Sequence, residues 1–201
     1  KEKGDSLISK VGASLTYDTR NNNNLPNRGQ RTELSGELAG GPFGGEKDFY
    51  KLELNSSWYF KGFFEGHILE LTGRAGVAGG LSGSDSVPFF ERYYLGGIGS
   101  LRGYKFHDVS PRDPGYSEPV GGDTFWFGSA EYSVPIIERL RFAVFYDIGT
   151  VAVDSYDFQF SNYTDNWGLG LRLNLPIGPL RLDYGIPINH DQYNSDSGRF
   201  Q

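Results

Sequence analysis

The sequence contains no cysteine and no methionine. Without cysteine, the chain can form neither a disulfide framework nor a thiolate metal site. It also has no apolar run approaching the roughly 20 residues of a membrane-spanning helix. Its first six residues, Lys-Glu-Lys-Gly-Asp-Ser, are not typical of a signal peptide, so we expect a processed chain or a fragment of a longer one.

Clusters of lysine and arginine with interleaved aromatic rings are also missing, and the 201 residues carry a formal net charge of −6. Both features argue against a nucleic-acid partner. No motif for nucleophilic catalysis surrounds His67, His107 or His190, so the sequence does not predict an enzyme. The acidic stretches 154–160 and 190–198 lack the fixed ligand spacing of a calcium site, so we expect no metal and no cofactor.

Glycine and aromatic residues are abundant instead, with 29 glycines and 15% aromatic side chains. Apolar and polar residues alternate with a period of two, and no helical period competes, which predicts a single all-β domain. The alternation defines eight strand segments and the start of a ninth: about 7–18, 30–40, 48–60, 67–79, 123–134, 139–150, 166–176, 179–189 and 198–201.

The connections between these segments are predicted to alternate between short and long. The longest one, about 80–122, is predicted at the end of the sheet opposite the short turns. This asymmetry, with segments of about 10 to 14 residues and aromatic residues at their ends, is typical of antiparallel transmembrane β-barrels. A soluble β-sandwich would also alternate, but its strands are usually shorter. The short turns are expected near Asn21–Gly29, Lys61–Gly66, Pro135–Glu138 and Pro176–Pro179.

A barrel also assigns the two faces of each strand, and a shift of one residue would invert the assignment. The residues expected to face lipid are Leu52, Leu54, Leu169, Leu171, Leu173, Leu182 and Tyr184. The residues expected to face the lumen are Lys51, Glu53, Glu131, Asp147, Arg172 and Asp183.

Two of these lumen acids, Glu131 and Asp147, lie on neighbouring strands, and such charges repel unless a cation lies between them. Both can be ordinary solvated acids. Alternatively, Arg102 in the long loop folds back and binds both, since its planar guanidinium suits carboxylates better than a lysine does. Glu131 would then still hold the arginine after Asp147→Asn, so that change is expected to do less than Arg102→Ala. The pattern leaves both interpretations open.

The neighbours of Arg102 have an expected role in the second interpretation. Leu101 and Tyr104 would pack the loop against the inner wall. Gly103 would allow an unusual backbone angle and a close approach to the wall.

The stretch Leu95–Phe106 resembles the lid-loop signature of the BamA superfamily of outer-membrane assembly and translocation barrels. That signature is a glycine pair, a short spacer and Val/Leu-Arg-Gly-Phe/Tyr, which Leu101-Arg102-Gly103-Tyr104 matches here. Further segments resemble the family in the same order, and these are Tyr17–Leu38 (a strand–turn–strand unit), Ser129–Pro135 (the glutamate strand), Phe145–Val151 (the Asp-x-Gly strand) and Gly168–Ile188 (the penultimate hairpin).

The resemblance implies that residues 1–201 are the C-terminal portion of a sixteen-stranded transmembrane barrel. This portion would have about eight strands and a partial ninth, a lid loop at about 80–122 and no periplasmic repeat domains. Because bacterial single-chain barrels have even strand numbers, we expect an open sheet or a wall completed by other polypeptide. The implied location is integral to the bacterial outer membrane.

The resemblance also implies a function. The protein would fold and insert other outer-membrane proteins through a lateral seam, while Arg102 anchors the lid loop to Glu131 and Asp147. The implied partners are the outer-membrane bilayer, unfolded outer-membrane proteins and accessory assembly lipoproteins. A passive porin would not need the Leu-Arg-Gly-Tyr motif. A superfamily transporter that secretes a partner polypeptide fits the same strands, and this alternative stays open.

Overall fold

A computed structural model of the chain describes residues 7–81, 87–175, 178–191, 193–194 and 197–201. Short 3₁₀ helices occur at Gly41–Phe43 and Phe89–Glu91, and within these ranges no helix is long and apolar enough to cross a membrane. The strands found there are β1 (Lys10–Asp18), β2 (Gly29–Ala39), β3 (Phe49–Lys61), β4 (Ile68–Gly80), β5 (Thr124–Ile137), β6 (Leu140–Ala152), β7 (Thr164–Leu175), β8 (Gly178–Pro187) and β9 (Arg199–Phe200).

These strands form one antiparallel sheet in chain order, so each strand pairs with its neighbours in the sequence. The order confirms the predicted all-β, antiparallel architecture. β1 and β9 are the two edges of the described sheet. An open sheet was one of the two arrangements expected from the sequence.

The observed strand boundaries lie close to the predicted ones, with two informative differences. β1 begins at Lys10, because Ile8 forms only an isolated bridge with Gly45. β5 continues past Pro135 to Ile137, and the register shifts there because proline has no N–H to donate to the ladder. The predicted turn at Pro176–Pro179 and the stretches 80–122 and 190–198 lie partly outside the described residues.

Connections from odd to even strands lie at one end of the sheet, which we call the turn end. The connections 62–67 and 138–139 are short there, as predicted. The connection 19–28 is no shorter than loop 40–48 at the opposite end, so the asymmetry is weaker than predicted for this hairpin. Its length comes from asparagine turns, in which Asn21 Oδ1 accepts hydrogen bonds from the backbone N–H groups of Asn27 and Arg28.

The exposure of the side chains follows the predicted faces. The outer leucines are between 39% and 49% exposed, and they are Leu52, Leu54, Leu169, Leu171 and Leu182. Leu173 and Tyr184 share this face but are half-buried. On the inner face Glu131, Asp147 and Asp183 are buried, while Lys51, Glu53 and Arg172 are half-buried. Apolar side chains that stay exposed on one face of a sheet are typical of a wall that contacts lipid.

The described part of the connection between β4 and β5, residues 81 and 87–123, covers the inner face of the sheet, and we call it the long loop. A buried apolar cluster joins it to the wall, and burial of each valine, leucine or phenylalanine side chain in it contributes roughly 1.5–3 kcal/mol. The loop contributes Val87, Tyr93, Leu95, Leu101, Tyr104 and Val109. The strands contribute Ala39, Phe49, Ala78, Phe125, Phe127 and Val151.

Single cysteines can test the assignment of faces, because the chain has none of its own. In lipid vesicles, Leu171→Cys on the outer face should react with a lipid-soluble maleimide and resist a charged, membrane-impermeant one. Asn55→Cys, at an exposed inner position of β3, should show the opposite preference. Reversed preferences at both positions would mean that the strands are shifted by one residue.

Candidate functional site

The predicted acids meet on the inner face because of the strand register. In the β5–β6 ladder Ser129 pairs with Asp147, and Glu131 pairs with Phe145. Inward-facing residues recur every second position, so both carboxylates point into the same space. Asp183 on β8 adds a third buried carboxylate to this space.

Arg102 of the long loop lies among these three acids and is only 5% exposed. Its Nε donates a hydrogen bond to Asp147 Oδ2 at 2.9 Å, and its Nη2 donates to Asp147 Oδ1 at 2.8 Å. Its Nη1 donates to Glu131 Oε2 at 2.6 Å and lies 3.5 Å from Asp183 Oδ2. The structure therefore brings Arg102 together with both predicted partners, through a bidentate pair with Asp147.

Asp147 is the main partner of the loop. Besides the guanidinium, its carboxylate accepts hydrogen bonds from Ser129 Oγ at 2.7 Å, from Asn166 Nδ2 at 3.1 Å and from the backbone N–H of Arg102 at 3.3 Å. Its exposure is 0%. Glu131 accepts a single hydrogen bond from Arg102, whereas Asp147 accepts three. The expectation that Asp147→Asn does less than Arg102→Ala stays a prediction.

Glu131 forms hydrogen bonds with arginines of the wall as well as with the loop arginine. Arg172 donates to it through Nε at 2.9 Å and through Nη2 at 2.7 Å, and Arg181 Nη2 donates at 3.0 Å. Arg172 also donates through Nη1 to Asp183. The sequence did not lead us to predict that Arg181 also binds Glu131. Its position on β8, two residues before the inward-facing Asp183, was the available signal.

The guanidinium of Arg102 also packs against an aromatic ring, with its carbon 3.5 Å from the ring centroid of Phe145. Burial by itself would lower the pKa of this loop arginine, but the hydrogen bonds and charge of Asp147 and Glu131 outweigh burial, so its pKa is raised. The arginine therefore stays charged although it is removed from water. Removing one partner of a buried charge pair typically costs about 3–5 kcal/mol.

Gly103 allows the loop to approach the wall closely. A Cβ added to Gly103 would lie 2.8 Å from Asn166 Cβ, and one added to Gly185 would lie 2.6 Å from the backbone N of Gly103. The expected unusual backbone angle is not found at Gly103. Positive φ occurs instead at Gly96 (105°) and Gly97 (94°), where the glycine pair reverses the chain.

Leu101 and Tyr104 complete the contact between loop and wall, as expected from the sequence. Both side chains are buried in the apolar cluster. The hydroxyl of Tyr104 donates to the carbonyl oxygens of Asp165 at 2.9 Å and Asn189 at 3.0 Å. The carbonyl of Tyr104 accepts a bond from Gln201 Nε2 at 2.8 Å. The motif thus connects the loop to β6 through Arg102 and to the β8–β9 region through Tyr104.

This arrangement is suited to holding a loop in place rather than to bond chemistry. The carboxylates that face Arg102 are all engaged in hydrogen bonds, so none is a free base. In the described part of the chain, no group of three His, Cys, Asp or Glu side chains could hold a metal ion.

An open antiparallel sheet with an apolar outer face and a loop bound to its charged inner face defines part of a transmembrane β-barrel. Residues 1–201 match the model of the Omp85 superfamily domain. The chain belongs to the Omp85 superfamily and is integral to the outer membrane. The family resemblance of the motifs is thereby confirmed at the level of the superfamily.

Individual relatives match all or most of this chain but only part of their own length. It is 33% identical over 205 residues to the outer membrane protein assembly factor BamA of Nitratidesulfovibrio vulgaris, covering 100% of this chain and 26% of that protein. It is 32% identical over 142 residues to a sorting and assembly machinery component 50 homolog of Bos taurus, covering 68% of this chain and 28% of that protein. The chain thus spans about a quarter of the length of these curated relatives.

A solved structure shares the fold. BamA from Haemophilus ducreyi lacking POTRA domains 1–3 superposes with a TM-score of 0.80 at 23% sequence identity. The superposition covers 95% of this chain and 41% of that one. The likeness at this identity shows the fold alone.

The unequal contacts of Asp147 and Glu131 predict different consequences of neutralising each. Asp147→Asn should make the long loop more sensitive to protease, because it breaks the bidentate pair with Arg102. Glu131→Gln should lower the melting temperature of the folded barrel more, because it leaves Arg172 and Arg181 with fewer counter-charges. Limited proteolysis and thermal melting of both variants check this pair of outcomes. Equal protease sensitivity of the loop in the two variants would mean that Asp147 contributes no more than Glu131 to holding the loop.

Proposed function

We propose that this chain is the C-terminal part of the barrel of an outer-membrane protein assembly factor. In this proposal residues 1–201 form one transmembrane segment whose long loop acts as a lid inside the lumen. The names of the relatives, which are assembly factors and a sorting and assembly component, support this function over a secretion transporter. They also support a role without catalysis.

The observation that carries the proposal is the contact between Arg102 and Asp147. A long loop with little regular structure is costly to order, at about 1–2 kcal/mol for each backbone residue fixed. The buried charge pair and the apolar cluster counter part of this cost and hold the loop against the strands β2 to β6. The strands β5 and β6 would thereby be stiffened, while the edge of the sheet stays free to pair with another strand.

In the proposed mechanism an edge strand of the sheet receives the substrate. The edge at β9 presents backbone groups that an incoming strand can pair with, as in β-augmentation. A short apolar band near the seam would thin the bilayer and ease insertion. The partners are then the outer-membrane bilayer, unfolded outer-membrane proteins and accessory assembly lipoproteins.

The test uses Arg102→Ala in the full-length protein, with Arg28→Ala as control, because Arg28 is an exposed arginine of the turn end. Arg102→Ala should expose the long loop to protease and reduce the yield of assembled substrate barrels, while the barrel itself still forms. Arg28→Ala should match the wild type in both assays.

Two results would count against the proposal in different ways. A loop that remains as protected as in the wild type would refute the anchor role of Arg102. A loop that becomes protease-sensitive while assembly is undiminished would support the anchor role of Arg102. It would refute the idea that the anchored loop is needed for assembly.

A further inference from the structure

Three arginines lie side by side across the inner face near the turn end. Arg141 on β6 pairs in register with Arg172 on β7, and Arg172 pairs with Arg181 on β8. All three line one cavity. Like charges directly opposite each other on neighbouring strands are destabilising. Anions are therefore needed among them.

The described protein supplies these anions to only two of the three. Glu131 accepts hydrogen bonds from Arg172 and Arg181, and Asp183 accepts one from Arg172. No described carboxylate forms an ion pair with Arg141, although Arg141 is only 7% exposed. A buried charge without a counter-charge is unfavourable.

The hydrogen bonds of Arg141 go to neutral oxygens. Its Nη2 donates to the carbonyl of Gly66 at 2.8 Å, to the carbonyl of Ser133 at 3.0 Å and to Ser133 Oγ at 3.0 Å, and its Nε donates to the same hydroxyl at 3.2 Å. These bonds fix the orientation of the guanidinium, and the charge of Glu131 acts on it from beyond ion-pair distance.

The cavity beside the arginines has a volume of about 220 Å³. Asn23, Asn24 and Asn174 line it as well, and asparagine side chains can donate hydrogen bonds. Glu70 is the opposing charge on the lining besides Glu131, and it accepts a hydrogen bond from the hydroxyl of Tyr59 at 3.2 Å. An anion would therefore be favoured on the side of Arg141, away from Glu70.

We propose that this cavity binds a small oxyanion, a carboxylate or a phosphate group, against Arg141, with Arg172 and Arg181 adding to the field. Because the described bonds of Arg141 use Nε and Nη2, its Nη1 keeps two N–H donors for such a group. The ligand is either a free ion or the carboxylate end of a polypeptide chain inside the lumen. The site shares Glu131 with the Arg102 anchor, but binding at Arg141 does not depend on the assembly function.

The test is a titration of inorganic phosphate, and separately of acetate, into the full-length protein in detergent micelles, followed by NMR of the ligand. The wild type should bind saturably. Arg141→Gln should weaken binding about tenfold or more, as expected for loss of a charge-assisted hydrogen bond. The matched control is Arg74→Gln, which removes an inward-facing arginine that does not line this cavity, and it should bind like the wild type.

Arg181→Gln provides a second variant if Arg141→Gln fails to fold, because the Arg181 side chain is more exposed. It should weaken binding several-fold. Non-saturable binding to the wild type, unchanged binding in the folded cavity variants, or an equal loss in Arg74→Gln would each overturn the proposal.

Peptides then distinguish the source of the ligand. One outcome is that an extended peptide with a free C-terminal carboxylate displaces phosphate, whereas the same peptide with an amidated C-terminus does not. This outcome supports the site and identifies a chain end as its ligand. Equal behaviour of the two peptides, together with saturable phosphate binding, supports the site with a free ion as ligand.

Discussion

The bidentate pair between Arg102 and Asp147 is the contact on which the inner side of this wall depends. It joins a long loop to a strand more than forty residues further along the chain, in a space with almost no access to water. In such a space neither charge is stable without the other. The carboxylate is in turn held by Ser129 and Asn166, so the position of the loop is set by three consecutive strands, β5, β6 and β7.

The charges around this pair form one continuous network rather than separate ion pairs. Glu131 links the loop arginine to Arg172 and Arg181 of the wall, and Asp183 contacts both Arg102 and Arg172. Loop position and wall stability are therefore coupled through shared carboxylates. A network of this kind keeps the inner face polar while the outer face remains apolar, which is the division that a transmembrane strand requires.

Much of this could be predicted from the sequence, because alternation with a period of two is a local pattern. It predicted the strands and their faces, and the motif around Arg102 identified the family. The row formed by Arg141, Arg172 and Arg181 could not be predicted, since it depends on the register between strands. The same holds for the approach of Gly103 to Gly185, which joins distant segments. Local pattern also did not show how many arginines share the carboxylate of Glu131.

A double-mutant cycle tests the central claim most directly. Hydrogen exchange of the long-loop amides would be measured in the wild type, Arg102→Ala, Asp147→Ala and the double variant of the full-length protein. If the pair anchors the loop, the two changes are strongly non-additive, with a coupling free energy of about 1.5–3 kcal/mol for loop opening. Additive effects of the two substitutions would contradict the account.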